Sequence, residues 1–148
     1  GEDNYSDAFP VLVERRMTGT FFVITQSVGS SGQMTWSQLR EMTAAGMSIQ
    51  SHTVSHRDLR KVSAERLQEE LAGSRARLQE ELRCPVYALC YPSGAYDERV
   101  MEATRAAGYV LGAATHTGGV LSPENIFRVK RWRIQPSTNL AGFAALLQ

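Results

Sequence analysis

Short apolar runs set apart by helical stretches constrain this chain more than any other feature of it. The runs fall at 20–25, 47–51, 86–91, 109–115 and 127–134, and the first, β-branched and aromatic, is too short for a helix. All five read as strands. Thr35-Trp36-Ser37-Gln38 is a capping box that opens a helix through Leu39, Met42 and Ala45, and Gly46 closes it. Ser63 caps the longest helix, where Leu67, Leu71, Leu78 and Leu82 form one apolar stripe and Pro85 marks the end. Asp97 caps another helix, ending at Gly108, and Pro136 and Ser137 lead into a last one through Leu140, Phe143 and Leu147. Ahead of the first strand, Asn4 or Ser6 can cap a helix with Pro10 in its first turns. Such alternation implies parallel strands joined by right-handed crossovers, and so an α/β fold built as a barrel or a doubly wound sheet. Eight complete barrel units need roughly 250 residues. A chain of 148 residues builds only part of one, leaving edges to be covered or paired.

A chain of this length with 43% hydrophobic residues is expected to form one domain that buries most of its apolar surface. Its 16 lysines and arginines are balanced by 15 acidic residues and mixed with them along the chain, which argues against a nucleic-acid partner. No apolar run approaches the roughly 18 residues of a membrane span. Cys84 and Cys90 flank an expected strand whose length puts them beyond disulfide reach, so they read as buried thiols.

Two of the three histidines lie four residues apart in Ser51-His52-Thr53-Val54-Ser55-His56-Arg57-Asp58-Leu59. Neutral imidazole suits zinc and related divalent ions, and rings at this spacing can meet at one centre from a helical turn or a curled loop. The run before His52 is a strand that follows the helix stop at Gly46, so both rings are expected at its C-terminal edge. That edge is where α/β folds bind ligands. The competing reading is two surface histidines that share this spacing by chance.

The histidine stretch resembles the metal-binding motif of the polysaccharide deacetylases, the carbohydrate esterase group with the NodB homology domain. Asn4 to Leu12, Gly19-Thr20-Phe21-Phe22-Val23, Met42 to Gly46 and Tyr91-Pro92-Ser93-Gly94-Ala95-Tyr96-Asp97 follow the order and spacing of that family. The Tyr-Pro-x-Gly turn is similar to the branch that includes enzymes acting on exported poly-N-acetylglucosamine. The resemblance implies a partial (β/α) barrel of about five parallel strands, as a single domain over residues 1–148 that is N-terminally incomplete. It implies His52 and His56 as metal ligands, for zinc first and for cobalt, nickel or manganese otherwise. It further implies that Tyr91 offers its backbone N–H to a developing oxyanion, on a turn shaped by Pro92 and Gly94. The implied reaction is metal-dependent hydrolysis of N-acetyl groups from a polysaccharide containing N-acetylglucosamine, expected at the cell envelope or outside the cell.

The chain departs from the family pattern in two places. The Thr-Phe-Asp-Asp-Gly strand that supplies the third metal ligand and the general base is not among residues 1–148; Asp3 matches a position after the pair. Its absence leaves a sheet edge open to self-association, and leaves open a catalytically degenerate domain that binds glycan or a partner. The Leu-x-His motif of the general acid is also absent. His116, beside Thr115, Thr117 and two glycines, is the remaining candidate for a catalytic role. Arg131 and Arg133 share one face of the fifth expected strand, where they would bind sugar, orient a carboxylate or simply be solvated. Trp132 on the opposite face is read as core or as a sugar-stacking ring, and Trp36 as local packing.

Overall fold

The computed structural model of the protein describes residues 1–115, 118 and 122–146. Four strands form one parallel sheet in the order β1 (Thr20–Val23), β2 (Ser48–Ser51), β3 (Ala88–Cys90) and β4 (Leu111–Ala113). Spatial order equal to chain order is what a barrel segment requires, whereas a doubly wound sheet reverses order at a switch point. The register pairs Thr20 with Ser48, Ser51 with Leu89 and Ala88 with Leu111. Between β2 and β3 the buried Gln50 side chain takes over part of the ladder. Its Oε1 accepts from the Tyr87 and Ala88 amides at 2.9 and 2.8 Å, and its Nε2 donates to Ser48 Oγ at 3.0 Å.

The helices form where their caps predict them. In α2 (Trp36–Ala44), Thr35 and Gln38 exchange both bonds of a capping box, and Met42 and Leu39 are fully buried. Ser63 opens α3 (Ala64–Gln68), which runs through a π-helical turn at Glu69–Gly73 into α4 (Ser74–Leu82), and Arg83 in the left-handed region ends it ahead of Pro85. The Leu67, Leu71, Leu78 and Leu82 stripe is buried throughout, each side chain contributing about 1.5–3 kcal/mol. Asp97 caps α5 (Glu98–Ala106) by accepting from the Val100 amide at 2.9 Å. The first helix differs in its start: Asp3, not Asn4 or Ser6, supplies the cap, and a wide turn at Asn4–Ala8 precedes α1 (Phe9–Glu14).

The fifth expected strand is corrected. Segment 127–134 touches the sheet through a single parallel bridge, Val129 to Ala113. The reason lies in Arg131, whose Nε donates to the Ala114 carbonyl at 2.9 Å and so occupies an acceptor at the end of β4. Without a strand there is no inner face, and Trp132 is accordingly 43% exposed and not core. The short α6 (Leu140–Ala145) follows with Leu140 and Phe143 exposed, and Leu147 lies outside the described residues. Cys84 and Cys90 are free thiols, half-buried and buried. Among the described residues no helix is long and apolar enough to cross a membrane.

Candidate metal centre and active site

His52 follows β2 directly, and its amide continues the ladder to the Val23 carbonyl at 2.8 Å. Its Nδ1 lies 2.6 Å from the Cys90 carbonyl oxygen. A carbonyl only accepts, so Nδ1 carries the proton and Nε2 keeps its lone pair, the arrangement a metal-ligating histidine needs. Burial holds the His52 ring below its ordinary pKa against the Cys90 carbonyl, and the nearby His56 and Arg131 charges add to the lowering. The neutral, ligating form is therefore the stable one at neutral pH.

The chain then curls, and does not continue as a helix. Thr53 and His56 both adopt left-handed backbone angles, φ +69° and +59°. Thr53 is held by its amide to Ser51 Oγ at 3.1 Å, and its Oγ1 accepts from the His56 amide at 3.0 Å. The Thr25 and Gln26 amides clasp the Thr53 and Val54 carbonyls from the end of β1. The result brings the two rings to a centroid separation of 4.6 Å, edge to face at 75°. Two imidazoles so placed fit two positions of a zinc-type donor set, which in catalytic sites commonly holds three protein ligands. Among the described residues no third histidine, cysteine, aspartate or glutamate joins them. His52 also lines a cleft of about 390 Å³ beside β1, with Phe21, Val23, Ile24 and Met34.

The turn after β3 needs a correction. The Tyr91 amide donates to the Ala113 carbonyl at 3.0 Å as part of the β3–β4 ladder, so it is already committed and not available to an oxyanion. Its side chain is buried, with the hydroxyl donating to the Phe127 carbonyl at 2.8 Å, and burial pushes the phenol up to about 12. Pro92 has no amide proton, and the Gly94 and Ala95 amides close the turn onto Tyr91 and Pro92 carbonyls. Exposed Ser93, at φ +54°, has the one N–H of the turn with no hydrogen-bond acceptor among the described residues.

Gly94 does shape the turn: at φ +69°, a Cβ there would sit 2.7 Å from the Thr115 amide nitrogen. Arg131 is brought to the site rather than to a solvated face. Its Nη2 lies 3.2 Å from Cys90 Sγ, behind the carbonyl that orients His52, and its guanidinium stands 5.6 Å from the Phe22 ring centre. Trp132 lines a separate cleft of about 270 Å³ with Thr115, Arg131, Arg133 and Ile134. His116 lies outside the described residues. Glu70, which the sequence shows only as one more acidic residue of a polar helix face, is fully buried beneath the histidine loop.

A parallel α/β sheet in chain order, with a histidine pair at the C-terminal edge of its second strand, defines a barrel-segment scaffold of α/β class. The polysaccharide deacetylase family profile matches residues 1–112, and the chain belongs to that family. It is 32% identical over 146 residues to YxkH of Bacillus subtilis (strain 168), covering 99% of this chain and 52% of that protein. Among solved structures it is similar to the Streptococcus pyogenes deacetylase PplD in complex with acetate, at 31% identity and a TM-score of 0.94, over 99% of this chain and 66% of that one. It is also similar to BC0361, a polysaccharide deacetylase from Bacillus cereus, at 30% identity and a TM-score of 0.91, over 98% and 48% of the two chains. The chain thus spans about half the length of the curated relative it matches.

Proposed function

We propose that this chain is part of an enzyme that removes acetyl groups from a polysaccharide containing N-acetylglucosamine, with His52 and His56 as two ligands of a divalent metal, zinc first. The observation that carries this reading is the histidine pair itself, with Nδ1 of His52 pinned by Cys90 and the two rings 4.6 Å apart. A divalent ion held there supplies Lewis acidity toward an acetamide carbonyl and toward water. His52 keeps its proton on Nδ1 throughout, and the Ser93 N–H, unpaired among the described residues, is the donor this turn can offer to a developing oxyanion. Water adds to the acetamide carbon, the C–N bond breaks, and acetate and a protonated amine leave. PplD, to which the chain is similar, was solved with acetate, the small product of such a reaction.

The third ligand and the general base are proposed to be carboxylates outside residues 1–148, on a strand that pairs with the edge of β1 that is unpaired among the described residues, and the same edge is proposed to support self-association. A second reading, a glycan-binding domain without hydrolytic activity, is favoured by the lack of a third ligand among the described residues. Acetate release from chitooligosaccharides and poly-N-acetylglucosamine fragments decides between them, measured with zinc or cobalt and with a chelator. The chain carrying a restored Asp-Asp strand is expected to give chelator-sensitive release that His52→Ala and His56→Ala abolish. Release that survives chelation, or stoichiometric metal retained in both variants, would overturn the metal assignment. No release from the restored chain, together with glycan binding, would establish the second reading.

A further inference from the structure

We propose that Glu70 is a positioning residue for the histidine loop, its buried carboxylate holding Ser55 and through it the mutual placement of His52 and His56. This rests on the reading of the two histidines as metal ligands. The Glu70 side chain is 0% exposed. A carboxylate so deeply buried is retained only when its charge is matched and its oxygens are hydrogen-bonded. Here it accepts from the Ser55 amide at 2.8 Å, from the Ser55 hydroxyl, and from Arg66 Nη2 at 2.8 Å.

The direction of those bonds argues for a role beyond packing. Leu67 and Leu71 already seat this helix in the core, so burial of the helix asks for no carboxylate. Two of the three donors belong to the single residue that precedes His56. The loop needs such a hold, because Thr53 and His56 occupy backbone angles that cost a non-glycine residue energy. Glu70 sits in the π-helical turn Glu69–Gly73, a local widening of a kind frequent at functional sites. One turn on, Ser74 Oγ lies 2.8 Å from Ser51 Oγ and donates back to the Glu70 carbonyl. The same helical turn therefore grips the loop before His52, at Ser51, and before His56, at Ser55.

The test uses Glu70→Gln and Ser55→Ala in the full chain, with Ser55→Thr as the conservative rescue. Amide hydrogen exchange is read residue by residue, and zinc affinity is read by competition with a chromophoric chelator. In Glu70→Gln, exchange at Ser55 and His56 should quicken by roughly tenfold or more, while Ile49 and Leu89 in the sheet keep their rates. Zinc affinity should fall by about 10- to 100-fold. Ser55→Ala should move both readouts in the same direction, and Ser55→Thr should restore them. Unchanged loop exchange, or loop and sheet amides quickening together with zinc affinity preserved, would overturn the proposal and leave Glu70 a plain core anchor. If Glu70→Gln does not fold, the Ser55 pair decides by the same criteria. If residues 1–148 alone bind no zinc, the zinc arm is read in the chain carrying the restored Asp-Asp strand; no zinc there fails the metal reading, while the exchange arm still decides what Glu70 does.

Discussion

His52 shows how much one residue's chemistry depends on a partner remote in sequence. Its spacing from His56 is visible at once, but its proton position is set by the Cys90 carbonyl, 38 residues away. The lowered pKa has a consequence for the metal-free chain, and the sign follows from comparing folded and unfolded states. Above the unfolded value of 6.5 both states hold a neutral ring, and the stability it permits is fully present. As pH falls through 6.5 the unfolded chain takes up a proton that the folded chain resists, so stability drops until the folded pKa is passed. Glu70 adds a second, more acidic loss. Burial alone would raise its carboxyl, but the Ser55 hydroxyl and amide together with Arg66 outweigh it and hold the group below 4.5. Its contribution is present above that value and is lost as pH falls through the folded pKa. Urea midpoints followed from about pH 8 to about pH 2 should decline in these two stages. In His52→Gln the first stage should flatten, and a parent-like decline there would place the titrating group elsewhere.

At the scale of elements, caps and stripes were legible because they act within one turn of chain. Thr35 with Gln38, Ser63 and Asp97 all cap the helices that the sequence assigns to them. The fifth strand was not legible, because a run of alternating basic and apolar residues reads as a strand until Arg131 claims the Ala114 carbonyl. The oxyanion role that the resemblance implies for the Tyr91 amide fails for a related reason, since that amide is paired to the Ala113 carbonyl. The turn at Pro92–Gly94 is tight enough to give a sharp expectation. Gly94→Ala combines a left-handed φ with a Cβ 2.7 Å from the Thr115 amide nitrogen, and should cost about 2 kcal/mol or more in urea denaturation. A loss below about 0.5 kcal/mol would show that the turn yields easily and that glycine is not required there.

At the scale of the whole molecule, the sheet runs β1 to β4 with β1 paired on one side only among the described residues. Unpaired amides and carbonyls on an apolar edge strand are a template for a second chain. Sedimentation velocity across a wide concentration range should show reversible association that a proline at Phe22 suppresses, since proline removes one donor from that edge. A single monomeric species at all concentrations would show that the edge is protected.

The sequence by itself determined the α/β alternation, the caps of the helices at Thr35, Ser63 and Asp97, the histidine pair and the family, because periodicity, capping and motif spacing are properties of neighbouring residues. Only the tertiary structure decided the tautomer of His52, the loss of the fifth strand, the commitment of the Tyr91 amide and the burial of Glu70. Each of these turns on a donor or acceptor supplied from far along the chain. A hydrogen-bonding group's role is fixed by whichever partner the fold brings within about 3 Å of it.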